Sequence, residues 1–329
     1  MSGHSLKTST GKSHKNEYIQ LLRGIAIIAV VMIHSTAPDF LRVFLRPFLN
    51  FAVALFVFLS GYLTKLKITD VGLFFRKRIF KVIVPYLIWS VIYSIPNGFD
   101  GFFLNLLTGR CCGIFYYIFV YIQFVLLTPL IIRLLQSKYH WIGWVITPIG
   151  TIAFRYIFKF QNLSILTGNF QYLFIAWFIY YYMGLYLGNG IGPRPPKIKT
   201  CIILYALAVV VSVLEGLYWY RLNDIDMATT QLRLTSILTS VIFLLICHHI
   251  IQKTYGTAPK TRWIKMLIIL GDYSFGIYWS HMMIRPILGR LVLKWMFFPI
   301  NALMILCISA ICVAVGKRLL GKYSWFLGL

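Results

Sequence analysis

Apolar residues in this chain come in long runs, and polar residues collect in short connectors between them. Ten runs, at about 18–36, 43–64, 79–96, 113–135, 142–160, 170–189, 201–220, 231–252, 266–288 and 298–316, approach the ~20 residues that a helix needs to cross a bilayer. Such runs predict helices surrounded by lipid or by one another, since a soluble helix keeps one polar face. The expected fold is therefore all-α: a polytopic transmembrane bundle of about ten spans. Aromatic clusters such as "YYIFVYIQF" and "WFIYYYMG" suit both interfacial belts and a packed interior. No internal repeat, long linker or low-complexity segment interrupts the pattern. The Pro/Gly stretch "GIGPRPPKIK" reads as a loop, and residues 1–329 read as a single transmembrane domain with 1–17 as a cytoplasmic tail.

Composition agrees. The chain is 59% hydrophobic and 12% charged, where soluble domains are about a quarter charged. The formal charge of +24, from 32 Lys and Arg against 8 Asp and Glu, could indicate a nucleic-acid partner. Here, however, the cations sit in connectors and form no separate basic domain, so membrane topology is the simpler cause and no nucleic acid is expected. An N-terminus in the cytoplasm puts Lys7, Lys12 and Lys15, the segment from Lys65 to Lys81, Arg194 to Lys199, Lys253 to Lys265, and Lys317 to Lys322 on the inner side. That side then holds roughly twice the basic residues of the other, although Arg42, Arg46, Arg285, Arg290 and Lys294 oppose the bias. Both termini are expected to be cytoplasmic. The first run contains Arg23 and lacks a small-residue cleavage site, so it is read as a retained helix and not as a signal peptide. None of the six cysteines forms C-x-x-C, and no disulfide, redox or metal site is expected.

Some residues inside the runs do not belong in hydrocarbon. Arg23 and His34 are eleven positions apart, which on a helix is about 20° in azimuth and roughly 16 Å along the axis. They share a face, as two groups lining one polar channel would. An arginine snorkelling to one interface and a histidine capping the other end would show the same spacing. The second run ends "FVFLSGYLTK", where Ser60 and Gly61 permit close helix approach. "FFRKRIFKVIVPY" places Arg76, Arg78 and Lys81 as a basic cluster ahead of a helix, either a topology signal or a grip for phosphate. Tyr278 and His281 are three apart and neighbours on one helical face. Asp272 is expected to cap that helix. Glu215 lies near the outer end of its run, poised to meet a ligand or to pair with Arg221.

Taken in order, these pieces resemble the membrane-bound acyltransferase-3 family of O-acyltransferases. The resemblance rests on R-x10-H in the first span, F-x-F-L-S-G-Y ending the second, and the basic stretch before I-x-x-P-Y. It continues with the aromatic span "YYIFVYIQFVLLTPLI" and the late "LGDYSFGIYWSHMMI", and so covers nearly the whole chain. It implies transfer of an acyl group, usually acetyl from acetyl-CoA as co-substrate, to a hydroxyl of an extracytoplasmic glycan or lipid-linked saccharide, by a multi-pass enzyme of the inner (plasma) membrane. By motif match, Arg23 and His34 are the family's essential pair. Arg78 and Lys81 fall on its R-x-x-R element, with Lys81 in place of the second arginine, which keeps the charge and loses the bidentate fork. The chemistry fits: a histidine has the intrinsic pKa to take a proton from an attacking alcohol. Arg76, Arg78 and Lys81, with Ser60 and Tyr62 near the reacting thioester, are the expected donor-binding residues; Glu215, Tyr278 and His281 are the expected acceptor-side residues. Membrane lipids are expected partners, and a homo-oligomer is left open. The rival reading is a transporter or flippase for an anionic or saccharide substrate, which inverted repeats and broken helices would favour; the sequence has no such symmetry.

Overall fold

The computed structural model describes residues 16–35, 37–161, 168–191, 195–253, 261–291 and 297–329. Lys7, Lys12, Lys15, Arg194, Lys260 and Lys294 therefore lie outside the described residues. Over the described residues the chain is mainly helical and contains no strand.

Helix α1 (Glu17–His34) starts where the Asn16 side chain accepts from the Tyr18 amide and Glu17 supplies an acid in the first turn, both stabilising at a helix N-terminus. It ends at Ser35, which turns extended and donates its hydroxyl back to the Val31 carbonyl at 2.7 Å. Helices α2 (Asp39–Leu49) and α3 (Phe51–Tyr62) meet at Asn50. Buried Asn50 donates to Ser236 Oγ at 2.9 Å and to the Thr230 carbonyl at 3.2 Å, tying this junction to a later loop. Next come α4 (Val71–Ser94), the short α5 (Phe102–Thr108), α6 (Tyr116–Leu135) and α7 (Ile142–Thr151), the last running on into a wider π turn over Ile152–Ile157. The remainder is α8 (Phe178–Gly188), α9 (Ile198–Arg221), the single turn α10 (Ile225–Thr229), α11 (Leu234–Lys253), α12 (Arg262–Leu291) and α13 (Ile300–Leu320).

Every predicted run falls on helix, yet not all are equal. Among the described residues, six segments are both long and apolar enough to cross a membrane: Glu17–His34, Asp39–Tyr62, Tyr116–Gln136, Ile198–Arg221, Ile225–Gln252 and Ile300–Leu327. Ile142–Ile157 and Phe174–Gly188 are apolar but shorter. α4 and α12 are long but carry cations in their N-terminal portions, Arg76 to Lys81 in α4 and Arg262 and Lys265 in α12. Large apolar side chains of α9 and α13, such as Ile203, Leu207, Leu214, Leu303 and Ile311, point outward, as on a surface solvated by lipid. With several such helices, the protein is a multi-pass membrane protein.

Two seams hold the bundle together, and both are made of glycine. α1 runs along α12. A Cβ on Gly24 would lie 2.0 Å from the Leu267 carbonyl oxygen, and one on Gly271 would lie 1.8 Å from that of Gln20. α3 packs on α8 in the same way, with Gly61 against the Tyr181 carbonyl and Gly184 and Gly188 against Phe58 and Tyr62. Small residues allow this backbone approach, on which helix association in lipid depends. The close approach expected at Ser60–Gly61 is therefore real, and Gly61 makes it.

Two expectations about boundaries need correction. The basic cluster does not precede a helix. Asp70 caps α4, its carboxylate accepting from the Leu73 amide at 2.8 Å, so Arg76, Arg78 and Lys81 all lie within the helix. Asp272 is likewise inside α12 and does not cap it.

Candidate functional site

The two polar residues of α1 sit in two different clusters. Near its N-terminal end, half-buried Arg23 lies within electrostatic reach of Tyr117, Tyr121 and Asp272. Tyr121 in turn lies within reach of Arg78 from α4, so α6 brings together two arginines that are far apart in sequence. Arg78 also covers the Phe74 ring, 4.7 Å from its centroid. Arg78 is half-buried, while Arg76, Lys77 and Lys81 are exposed. Ser60 and Tyr62, at the end of α3, are half-buried. The Ser60 carbonyl accepts from Thr64 at 2.7 Å, and Tyr62 meets buried His248 edge to face at 5.8 Å.

At the C-terminal end of α1, His34 faces His281 of α12, with ring centroids 5.5 Å apart and planes tilted by 46°. His281 is fully buried. Its Nδ1 lies 3.0 Å from the Ile277 carbonyl and 2.9 Å from that of Tyr278. A carbonyl can only accept, so Nδ1 carries the proton. In the neutral ring Nε2 then holds a lone pair, and this buried atom has no hydrogen-bond partner among the described residues. The Tyr278 ring lies 6.4 Å from that of His281, and its hydroxyl donates to the Ile114 carbonyl at 2.7 Å.

His34 also lines a cavity of about 400 Å³. Its wall includes Arg42 and Arg46 from α2, Tyr116 from α6, and Asp226 and Gln231 from the connection between α9 and α11. Gln231 donates to the Tyr116 hydroxyl at 3.0 Å, leaving its own carbonyl oxygen without a partner among the described residues. The connection is held from one side by the segment that follows α7: Arg155 in the π turn pairs with Asp226 at 2.6 Å, and Lys159 just beyond it pairs with Asp224. Burial of Asp224 works to raise its pKa. The hydrogen bond and charge of Lys159, the Met227 amide and the nearby Arg155 outweigh that, so the carboxyl sits below the ordinary aspartate range.

Glu215 is not in the cavity wall. It sits in a network beneath it, accepting from the hydroxyls of Tyr156 and Thr235 and lying 4.0 Å from Nε of the fully buried Arg233. Its cation is Arg233, and Arg221 is exposed. Arg233 itself donates to the Ala228 carbonyl at 2.8 Å and to Ser212, which fixes the connection from below.

The structure thus brings His34 against His281, and sets Arg23 and Arg78 on either side of Tyr121. The Tyr278 hydroxyl is held by a backbone carbonyl, and Glu215 lies outside the cavity wall. Sequence reasoning missed the cavity wall. One signal was available: "DFLRVFLRPFL" repeats arginine at i and i+4 opposite phenylalanines at i, i+4 and i+8, an amphipathic pattern inside an otherwise uniformly apolar run. A two-histidine pocket at one end of a buried helix, and an arginine pair at the other, suit proton transfer at one point and anion binding at another. Searches of curated proteins and of solved structures return no match. The family model for an acyltransferase domain matches residues 16–318, nearly the whole chain, so with its apolar helices this protein is a membrane acyltransferase and belongs to the acyltransferase-3 family.

Proposed function

We propose that the enzyme moves an acetyl group from cytoplasmic acetyl-CoA to a saccharide hydroxyl on the far side of an inner (plasma) membrane. In this reading the chain spans about ten times, with α4, α7, α8 and α12 joining the six clearest spans, and both termini are cytoplasmic. The observation that carries it is the division of α1. Its Arg23 end meets Arg78 around Tyr121, and its His34 end opens on a polar cavity. The roughly 16 Å between them is a large part of a ~30 Å hydrocarbon core and close to the reach of a pantetheine arm. The exposed cations Arg76 and Lys81, with Arg78, suit the phosphates of coenzyme A. Tyr121 and Tyr117 form a wall along which the arm can rise past Ser60 and Tyr62.

At the far end, His34 takes the proton of the acceptor hydroxyl as that oxygen attacks the thioester carbonyl. The tetrahedral intermediate collapses, the C–S bond breaks, and the thiolate of coenzyme A leaves with the proton that His34 held. His281, whose Nδ1 is committed to backbone carbonyls, offers its Nε2 lone pair to the His34 ring and steadies the imidazolium that forms. This is the orienting role that a third group plays in other nucleophile–base pairs. Sided proteoliposomes test the scheme. Acetyl-CoA inside and glycan outside should give acetylated glycan, with His34→Ala inactive. Transfer only when both substrates share one compartment would overturn the trans-membrane route, and acetyl-CoA left unconsumed under every arrangement would overturn the acetyl-transfer reading.

A further inference from the structure

The cavity beside His34 contains a charge that nothing around it neutralises. Three neighbouring cations each have a carboxylate: Arg42 pairs with Asp39 at 2.7 Å, Arg155 with Asp226 at 2.6 Å, and Arg233 approaches Glu215 at 4.0 Å. Arg285 of α12 also acts on His34 but is exposed and is not in the cavity wall. Half-buried Arg46 lines the cavity, and among the described residues its side chain has no hydrogen bond or ion pair. The acid within its electrostatic reach is Asp226, whose carboxylate Arg155 already holds. A guanidinium that faces a cavity without a protein carboxylate keeps its charge for whatever anion enters. The side chain is not free to leave, because α2 is amphipathic. Its Phe40, Phe44 and Phe48 stripe is exposed, as a lipid-facing stripe would be, and its other side, with buried Val43 and Pro47, packs inward. Arg46 is thereby aimed into the cavity. Its planar fork matches a carboxylate or phosphate better than it matches neutral hydroxyls.

The charge also bears on the chemistry. Arg46 and Arg285 both act electrostatically on His34. When His34 takes a proton it becomes a third cation facing them, and a neutral acceptor would leave that repulsion uncompensated. A negative group on the acceptor would offset it at the moment the imidazolium forms.

From the unpaired Arg46 in the wall of the His34 cavity, we infer that the acceptor is an acidic saccharide, bound through a carboxylate or phosphate on or next to the sugar that is acetylated. This rests on the acyl-transfer reading for which hydroxyl reacts, but the anion site itself can be tested without turnover. The full chain in phosphatidylcholine nanodiscs would be probed by saturation-transfer NMR with three ligands on one ring: methyl glucoside, glucuronate and glucose 1-phosphate. The wild type should prefer at least one acidic sugar to methyl glucoside by about tenfold. Arg46→Gln should abolish the preference and Arg46→Lys should keep most of it. The favoured arm, carboxylate or phosphate, identifies the anion. With acetyl-CoA present, the same acidic acceptor should also show the higher kcat. Equal binding of neutral and acidic sugars by the wild type would overturn the inference, whatever the variants do, as would a preference that survives Arg46→Gln. An acid preference without acetyl transfer to any acceptor would instead count against the acyl-transfer reading alone.

Discussion

The two ends of α1 solve opposite problems with the same kinds of residue. At the Arg23 end the polar groups are spread over four helices and shade into exposed cations on α4, with Tyr121 between the two half-buried arginines. At the His34 end they converge on one cavity, walled by α2 and by the connection after α9 and backed by a fully buried second histidine. The first arrangement is open and charge-rich, suited to gripping a large anion from water. The second is partly enclosed, where a proton acceptor and a cation without a carboxylate carry more weight because less solvent screens them. The comparison teaches that position along one helix, and not residue type, decides what a polar residue in this membrane protein does.

The sharpest way to break this contrast is to remove the proton acceptor. On the proposed mechanism, His34→Ala lowers acetyl transfer by about 10²- to 10⁴-fold, with the protein still inserted and folded, as measured in sided vesicles and by gel filtration. Near-normal turnover would mean that the enclosed end is not where the chemistry happens.

A second test moves the two ends together. Gly271→Ala places a Cβ where the Gln20 carbonyl oxygen already stands. α1 and α12 must separate, which costs roughly 1–3 kcal/mol in an overpacked interface and alters the facing of His34 and His281. A lower thermal midpoint and a lower kcat should therefore appear together. Gly289→Ala, on the same helix with nothing within 4 Å of the new Cβ, should leave the midpoint unchanged or raise it.

The open end is probed by Arg78→Ala, which should raise the KM for acetyl-CoA about tenfold while that for the acceptor stays put. An unchanged coenzyme A affinity would reduce the basic turns of α4 to a topology signal. The smallest effect concerns the clamp on the cavity's rim. The folded-state pKa of Asp224 is depressed, so its contribution is present above the ordinary aspartate value of about 3.9 and is lost as pH falls through the lower, folded value. Thermal midpoints of wild type and Asp224→Asn should differ at neutral pH and converge below about pH 4; a constant gap would mean that the Lys159 pair does not couple to folding.

Much of this was legible in the sequence, for a simple reason. Burying a backbone in lipid leaves little choice but helix, so unbroken apolar runs report the fold directly. Arg23, His34 and His281 stood out because they are rare in such runs. What escaped were features fixed by tertiary contacts. No local pattern says that Glu215 answers Arg233 across α9 and α11, or that Tyr278 is committed to the Ile114 carbonyl. The cavity wall was hidden because Asp226 and Gln231 lie in a short connection held by salt bridges from Arg155 and Lys159, after α7. Asp70 was a local signal that went unread: an acid just before "VGLFF" is a helix start, and recognising it would have put the basic cluster inside α4.

The glycine seams have a consequence for how this protein can diversify. Because backbone meets backbone at Gly24 and Gly271, the spacing of the two histidines is set by the main chain and is insulated from side-chain replacement elsewhere. The far side of the cavity wall, opposite His34, is built the other way, largely from side chains on two short stretches, residues 37–50 and 222–233. Reaction and recognition are therefore inherited separately. Chimeras that exchange only those two stretches would be expected to trade one sugar preference for another while leaving the histidine pair in register.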